Sequence, residues 1–227
     1  MKVYAIIPSG GTGSRIKNPI PKQYIKVNDK EIISYSLDVF QKCDLIDEII
    51  VPVQNEYLHF LQEIKKRYSF TKISKIIEGG SERQFSVFNA LKTINASDDD
   101  IIIVHDAVRP LLSIEILTNS IAEAIKKGAV IVAIKANDTL IKFSSHNLDY
   151  INRDEIFYVQ TPQVFNYKIL IDSMLKAEQI NFVGTDESML VKNAGYKLSI
   201  VEGSLANFKI TTNYDLELFK KLVDKLN

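Results

Sequence analysis

Short apolar runs, separated by polar and turn-forming residues, recur through the first half of the chain. The runs are rich in Ile and Val and do not alternate with polar positions, a pattern typical of strands buried on both faces of a parallel sheet. We therefore predict strands at Val3–Pro8, Ile46–Val53, Ile73–Glu78, Ile101–His105 and Ala129–Ile134.

Stretches with helical spacing lie between these runs. From Asn55, a residue suited to cap a helix, apolar side chains recur at intervals of three and four, and the same spacing follows Ser113. The alternation of strand and helix predicts an α/β fold with a doubly wound, mostly parallel, Rossmann-like sheet. In such a sheet, ligands bind where loops converge at the carboxyl ends of the strands.

A polar turn flanked by short β-like pieces interrupts this rhythm between Thr139 and Tyr150. The pattern predicts a hairpin, and hence a projecting β-arm at about 137–153. A lone hairpin is marginally stable in water, so we expect the arm to pack on a second subunit; folding back on its own domain is the alternative. Beyond the arm we predict a strand at Phe157–Gln160, two helical stretches, a strand at Leu198–Val201 and a last helix from about Asn213.

Composition bounds the class of protein. The 227 residues, 46% apolar and 25% charged, suffice for one sizeable core, which predicts a single domain spanning 1–227. Lys and Arg balance Asp and Glu at 28 each, so no overall field favours nucleic acid or an anionic membrane as a partner. No apolar run approaches the roughly 18 residues that span a bilayer, and the lone Cys43 fits a reducing compartment. We therefore expect a cytoplasmic protein.

The segment after the first predicted strand carries the clearest chemical signal. It reads SGGTGSR at 9–15 and continues as PIPKQY at 19–24. Three glycines let the backbone turn tightly and present N–H groups to an anion, while Arg15 and Lys22 supply cations for phosphate oxygens. The spacing lacks the third glycine of a dinucleotide fingerprint and the Gly-Lys-Ser/Thr of a P-loop. It indicates a loop that holds a triphosphate and stabilises charge on a transferring phosphorus.

A second glycine pair lies in EGGSERQFSV at 78–87, between a predicted strand and a predicted helix. Gly79 and Gly80 allow the backbone to pass close to a base or ribose, and Ser86 offers a hydroxyl. Two interpretations stay open at this point, namely a nucleotide-binding segment or a helix cap with Arg83 in solvent.

An acidic and a basic residue follow the fourth predicted strand in VHDAVRP at 104–110. Asp106 is placed to meet Mg²⁺ bound to phosphates, and Arg109 to meet a phosphate. Alternatively, the two side chains form a structural ion pair. His105 is most simply a packing residue, and we assign it no role in the chemistry.

Polar blocks farther along complete the series. With them, the sequence resembles, over nearly its full length, the 2-C-methyl-D-erythritol 4-phosphate cytidylyltransferases of the non-mevalonate isoprenoid pathway. Seven blocks carry the resemblance: GGTGSR with PKQY, EGGSERQFSV, VHDAVRP, NDT, VQTPQVF, TDES and EGSLANFKITT. Two departures stand out, since Pro8-Ser9-Gly10 replaces the pair of alanines usual in the family, and ESMLVKNAG replaces a more acidic, alanine-rich helix.

The resemblance implies transfer of the CMP part of CTP to the phosphate of a small polyol phosphate, with Mg²⁺ as cofactor and pyrophosphate as product. It implies CTP contacts at Pro8, Ser9, Gly10, Gly11, Gly13, Arg15, Lys22, Gly80, Arg83 and Ser86. It implies an acceptor pocket made of Asp106, Arg109, Thr139, Arg153, Thr161 and Lys209, with Asp106 also at the metal. In the transfer itself, the resemblance assigns Arg15 and Lys22 to the α-phosphorus and Arg153 and Lys209 to the acceptor's phosphate. It also implies a homodimer in which the arm of one subunit completes the partner's site.

Three other hypotheses stay open. Ribitol 5-phosphate cytidylyltransferases share most of these blocks, so ribitol 5-phosphate is an alternative acceptor. A dinucleotide-dependent oxidoreductase would explain the first glycine loop but not Lys22 or the later cations. A catalytically silent nucleotide-binding subunit would keep the loop and lose the cations, which this sequence retains.

Overall fold

The computed structural model describes residues 1–11, 19–144 and 147–225. Numbered along the chain, the strands are β1 Val3–Ile6, β2 Lys26–Val27, β3 Lys30–Glu31, β4 Glu48–Val53, β5 Ile73–Glu78, β6 Ile101–Val104, β7 Ala129–Lys135, β8 Leu140–Ser144, β9 Asn147–Ile151, β10 Phe157–Asn166 and β11 Ser199–Glu202. The helices are α1 Ile32–Lys42, α2 Leu58–Arg67, α3 Arg83–Lys92, α4 Ile114–Lys127, α5 Tyr167–Gln179, α6 Glu187–Asn193 and α7 Asn213–Val223. Short 3₁₀ turns lie at Lys22–Tyr24, Asn55–Tyr57 and Arg153–Glu155.

A mixed central sheet organises the fold. Within the described ranges, seven strands lie in the order β11-β7-β10-β6-β1-β4-β5. β1 pairs in parallel with β4 and β6, and β4 with β5, whereas β10 is antiparallel to its neighbours β6 and β7. The chain moves outward from β1 to β5 and returns on the other side of β1 as β6, which creates a switch point between β1 and β6. The predicted α/β class with a mostly parallel sheet is confirmed.

Helices cover both faces of this sheet. In β1, Ala5 packs with α1, α2 and α4 on one face, and Ile6 packs with α3, α5 and α6 on the other. Because both faces are buried, the central strands carry unbroken apolar runs instead of alternating ones. A smaller apolar cluster joins α7 to α1 and β2, with Phe219 fully buried.

Capping residues explain several helix boundaries. The helix predicted after Ser113 is confirmed as α4, and Ser113 Oγ caps it by accepting a hydrogen bond from Ile116 N at 3.2 Å. Gly128 ends that helix with a φ of 83°, a conformation that favours glycine. Asn55, in contrast, begins a 3₁₀ turn, so α2 starts three residues later at Leu58.

The predicted hairpin is confirmed as β8 and β9, which pair with each other in an antiparallel register from Leu140–Ile151 to Ser144–Asn147. In the described chain, neither strand belongs to the central sheet. Most of their apolar side chains are exposed, Phe143 at 68% and Tyr150 at 77%. The hairpin therefore has little core of its own.

β10 differs from the sequence prediction in length. The apolar pattern predicts a strand at Phe157–Gln160, but the strand continues to Asn166, and its register shifts between Val159 and Gln163. The small β2–β3 ribbon was not predicted at all. Across the described ranges, no helix has both the length and the apolar character required to cross a membrane.

Candidate active site

A cavity of about 560 Å³ lies where the loops after β1, β4, β5 and β6 converge. These four strands are mutually parallel, so their carboxyl ends meet at one edge of the sheet, beside the switch point. In the described part of the chain, the lining consists of Pro8, Ser9, Gly10, Gly11, Lys22, Gln23, Gln54, Gly80, Ser81, Glu82, Arg83, Ser86, Asp106, Ala107, Val108 and Lys209.

Gln23 holds the first glycine segment against the turn that follows it. Its buried Nε2 donates to the backbone oxygens of Ser9 at 2.7 Å and of Gly11 at 3.0 Å. Ser9 Oγ donates to the hydroxyl of Tyr24 at 3.2 Å. Burial raises the pKa of Tyr24 to about 12, so this hydroxyl stays neutral. Buried neutral hydrogen bonds thus fix the loop that borders the cavity.

Lys22 is half-buried and reaches the late segment of the chain that carries Lys209. Its Nζ donates to the carbonyl oxygen of Ile210 at 2.8 Å. Two stretches that are far apart in sequence therefore meet at one wall of the cavity. The candidate residues Gly13 and Arg15 lie outside the described residues.

The second glycine segment packs its backbone on the first turn of α3. Gly80 N donates to Ser86 Oγ at 2.9 Å, and this oxygen donates to the carbonyl of Glu82 at 3.0 Å. A Cβ on Gly80 would overlap the Cβ of Phe85 and come within 2.8 Å of its carbonyl carbon. Only glycine fits here without a shift of the backbone that borders the cavity.

Cations surround Asp106 in the cavity wall. Arg83 Nε lies 3.1 Å from Asp106 Oδ1, while Lys209 Nζ and Arg109 Nε lie 3.1 Å and 3.3 Å from Oδ2. Burial alone would raise the pKa of Asp106, but attraction to Arg83, Lys209 and Arg109 outweighs it and holds that pKa well below its usual range. The carboxyl group is therefore ionised at neutral pH.

Arg83 is paired with carboxylates and only partly exposed, with 27% of its side chain accessible where it lines the cavity. Its Nη1 donates to both carboxylate oxygens of Glu187 at 2.7 Å each. Burial would lower the pKa of Arg83, but Glu187 and then Asp106 raise it above the ordinary value. Glu187 is 1% exposed, and burial raises its pKa against the opposing attraction of Arg83. The helix-cap interpretation of this segment thus misses an ionic link between α3 and α6.

Arg109 and Thr161 lie behind Asp106, outside the cavity lining. Arg109 is 9% exposed and donates from Nη1 to the carbonyl of Asn207 at 2.8 Å. Thr161 Oγ1 accepts from Asp106 N at 3.1 Å and lies 3.1 Å from Nδ1 of His105. His105 is fully buried, and burial lowers its pKa to about 4. These contacts fix the loop after β6, in agreement with a packing role for His105.

Thr139 and Arg153 lie at the base of the arm, next to β8 and β9, and are exposed and outside the cavity lining of their own subunit. Arg153 Nη1 donates to the carbonyl of Asn137 at 3.1 Å. One subunit thus brings Lys22 and Lys209 to a common cavity but leaves Arg153 outside it.

Several buried polar side chains that hold the site, two amides and a carboxylate among them, were missed by sequence reasoning. Asn207 Nδ2 donates to Gln160 Oε1 at 3.1 Å and to the carbonyl of Thr161 at 2.8 Å. Gln23 ties down the first glycine segment, and Glu187 pairs with Arg83. All of them belong to the blocks that carry the resemblance, so their place in those blocks was the signal that could have found them.

An α/β sheet with a switch point, two glycine segments and a cationic wall around a buried carboxylate defines the chain, as a class, as a nucleotidyltransferase. The sequence model of the 2-C-methyl-D-erythritol 4-phosphate cytidylyltransferase family matches residues 3–225, and the chain belongs to this family. The resemblance carried by the sequence blocks is thereby confirmed.

Individual relatives align with nearly the whole of this chain. Proteins of that name from Syntrophus aciditrophicus (strain SB) and Clostridium botulinum (strain Loch Maree / Type A3) are 39% and 38% identical to this chain. These alignments cover 99% and 97% of this chain, respectively, and 97% of each relative. The crystal structure of 4-diphosphocytidyl-2C-methyl-D-erythritol synthase from Anaerococcus prevotii DSM 20548 superposes with a TM-score of 0.86 at 28% identity, covering 98% of both chains.

Proposed function

We propose that this chain transfers the cytidylyl group of CTP to the phosphate of 2-C-methyl-D-erythritol 4-phosphate and releases pyrophosphate. The observation that carries the proposal is the shared cavity, in which glycine-rich backbone faces Lys22, Arg83 and Lys209. Family membership supports the same reaction. The relatives compared above are named for methylerythritol phosphate, which disfavours ribitol 5-phosphate as the acceptor.

In this proposal, CTP lies along the two glycine segments. Backbone N–H groups of Gly10 and Gly11 face the phosphates, because such nests of amides bind anions. The N–H of Ser9 donates to the carbonyl of Pro52 at 2.8 Å, so Ser9 borders the nucleotide through its other atoms. We assign Gly13, which lies outside the described residues, to the same phosphates. Gly80 and Ser86 lie next to this segment, since a Cβ on Gly10 would be 3.8 Å from Ser86 Oγ, and close backbone approach there suits a base or ribose. Pro8, in the loop after β1, completes the nucleotide pocket.

The transfer is an in-line displacement at the α-phosphorus. An oxygen of the acceptor's phosphate forms the new bond, and the bond from the α-phosphorus to the pyrophosphate oxygen breaks. That attacking oxygen is already ionised, so no side chain has to remove a proton. His105, buried with a pKa of about 4, is unsuited to that task in any case. Lys22, together with Arg15, stabilises the charge that develops at phosphorus.

The acceptor lies against Asp106 and Lys209. An ionised carboxylate only accepts hydrogen bonds, so Asp106 suits the hydroxyl groups of a polyol. Lys209 contacts Asp106 in the structure and lies at the cavity, where it can bind the acceptor's phosphate. Arg109 and Thr161 act on the acceptor through Asp106, whose side chain and backbone they hold.

We further propose one domain spanning 1–227 whose arm, at about 137–153, exchanges between the subunits of a homodimer. The arm exposes Ile141, Phe143 and Tyr150 at 50%, 68% and 77%, and a second copy would bury them. Arg153 lies outside its own cavity, so the exchanged arm would bring it, with Thr139, to the partner's acceptor pocket.

Mixing two inactive variants tests arm exchange. Arg153→Ala and Lys209→Ala subunits, denatured together and refolded at equal amounts, give half heterodimers, each with one intact site if the arm crosses over. Activity should then recover to about one quarter of the wild-type value per site, as random pairing in a two-fold dimer requires. If the arm folds back on its own subunit, no intact site forms and no activity returns.

Mg²⁺ would be held at this site chiefly by the CTP phosphates. In the described ranges, no group of three or more His, Cys, Asp or Glu side chains is placed to hold a metal ion. Asp106 offers one carboxylate, and Mg²⁺ commonly takes one or two carboxylates and completes its shell with phosphates and water. We propose Asp106 as the protein ligand. Bound there, the ion would neutralise charge on the leaving pyrophosphate.

A substrate panel tests the proposed function. CTP, UTP, ATP and GTP are each combined with 2-C-methyl-D-erythritol 4-phosphate and with ribitol 5-phosphate in the presence of MgCl₂, and pyrophosphate release is followed. We expect turnover with CTP and methylerythritol phosphate. Turnover only with ribitol 5-phosphate would transfer the proposal to that acceptor, and release with no combination would refute it.

A further inference from the structure

Glu187, the first residue of α6, is buried beside the cavity wall but is absent from the lining. It accepts from Arg83 Nη1 through both carboxylate oxygens at 2.7 Å. Arg83 continues the chain of contacts to Asp106 through Nε at 3.1 Å. The buried carboxylate of Glu187 thus contacts Arg83, which lines the cavity, and through Arg83 it is connected to Asp106, which also lines it.

Buried glutamines hold the segment around Glu187 on two sides. Gln84, the neighbour of Arg83 in α3, donates to Phe182 O at 3.1 Å and accepts from Gly184 N at 2.9 Å. Gln163 in β10 accepts from Ser188 N at 2.9 Å. The backbone that carries the carboxylate is therefore fixed to the same helix and sheet that position the cavity wall.

Glu187 also balances the charge of that wall. Of the described cations, Arg83, Arg109 and Lys209 contact Asp106, so one carboxylate would face three positive charges without it. Removing one partner of a buried ion pair is strongly destabilising, because it leaves the other charge uncompensated. Arg83 contacts Oδ1 of Asp106, while Lys209 and Arg109 share the second oxygen. Glu187 gives Arg83 a carboxylate of its own, so that Asp106 is not its sole ionic partner among the described residues.

We propose that Glu187 is a positioning residue for cytidylyl transfer: it orients Arg83 and, through Arg83, the carboxylate of Asp106. This inference rests on the proposed function of the cavity, because it assigns Arg83 to the nucleotide and Asp106 to the acceptor.

Glu31 provides a matched control for Glu187. It is 0% exposed and accepts from Arg67 Nη1 at 2.7 Å, yet it is absent from the cavity lining. Glu187→Gln and Glu31→Gln therefore each remove the charge of a buried, arginine-paired carboxylate, and both should lower Tm. Only Glu187→Gln should also lower kcat/KM for both substrates and weaken CTP binding, measured by calorimetry. We expect about 10- to 100-fold, the scale seen when partners that orient metal ligands are removed.

The outcomes separate this inference from the proposed function. Equal effects of the two variants on kcat/KM and CTP binding would reduce Glu187 to a stabilising residue and overturn the inference. If wild-type protein shows no turnover, the proposed function fails, while the CTP titrations still compare the two variants. If Glu187→Gln does not fold, Glu187→Asp keeps the charge but shortens its reach, and kcat/KM should fall about 10-fold. Wild-type values for Glu187→Asp would then overturn the inference.

Discussion

Lys22→Ala removes an ammonium group from the cavity and a hydrogen bond from the fold, and the two losses differ in size. The bond from Nζ to Ile210 O is 2.8 Å long and half-buried. Hydrogen bonds that involve a charged group contribute about 1.5–3 kcal/mol, and partial exposure places this one at the lower end. In a chain of this length, a loss of about 1.5 kcal/mol lowers Tm by about 3–6 °C. The variant should therefore remain folded at 25 °C.

The fall in kcat should be much larger than the small fall in Tm can explain. Removing a preorganised donor that stabilises transition-state charge commonly costs 10²- to 10³-fold in kcat, or about 2.7–4 kcal/mol. We expect at least about 10²-fold for Lys22→Ala at saturating CTP and methylerythritol phosphate. Pyrophosphate release gives kcat, and circular dichroism gives Tm on the same preparation.

Lys72 supplies the control for this experiment. Its Nζ donates to Cys43 O at 2.7 Å from a half-buried position, but it does not line the cavity. Lys72→Ala should lower Tm by a similar amount and leave kcat unchanged. An unchanged kcat in Lys22→Ala, or an equal fall in Lys72→Ala, would refute the reasoning.

Two further predictions concern the backbone near the site and the sheet. Gly80→Ala should weaken CTP binding in calorimetry and cost about 1–3 kcal/mol of stability, because its Cβ would overlap Phe85; unchanged binding would contradict the close packing inferred there. Asp100 is buried, which would raise its pKa, but hydrogen bonds from Lys2 N and Ser97 N hold that pKa below the usual value of about 4. A depressed pKa stabilises the fold above pH 4 and loses this contribution as pH falls through the folded-state value. Urea unfolding of wild type and Asp100→Asn should therefore show a difference in free energy of unfolding that is constant at neutral pH and shrinks below about pH 4.

The strands of the first half could be predicted because one physical cause dominates there. Burial on both faces of a parallel sheet requires unbroken apolar runs, and Ile101–Val104 is such a run. The extent of β10 has a different physical cause. Thr161 follows the predicted strand; it is buried, and its hydroxyl accepts a hydrogen bond from Asp106 N. Pro162 comes next. A polar residue followed by proline is typical of a loop, so the predicted strand ended at Gln160, six residues before the end of β10.

The arm shows a similar division between local and long-range causes. A polar turn between two β-like pieces suffices to predict a hairpin, and the antiparallel pairing from Leu140 to Ile151 confirms it. What covers the exposed Phe143 and Tyr150 depends on a surface that the local pattern does not encode. The same holds for Arg153, which lies outside the cavity lining of its own subunit.

Asp106 and Arg109 left two interpretations open in the sequence, a structural ion pair or a pair of ligand-binding groups. The structure shows the ion pair, with Arg109 Nε 3.3 Å from Oδ2, and it also shows that Asp106 lines the cavity. The two interpretations are compatible for Asp106, because Arg109 lies behind it, held by Asn207, while Lys209 approaches the same oxygen at the cavity. Arg109 itself does not line the cavity. A carboxylate that is fixed by buried partners would keep its orientation if a ligand took the place of Lys209 at Oδ2. The buried ion pair therefore preorganises Asp106 for the contact that the functional interpretation requires.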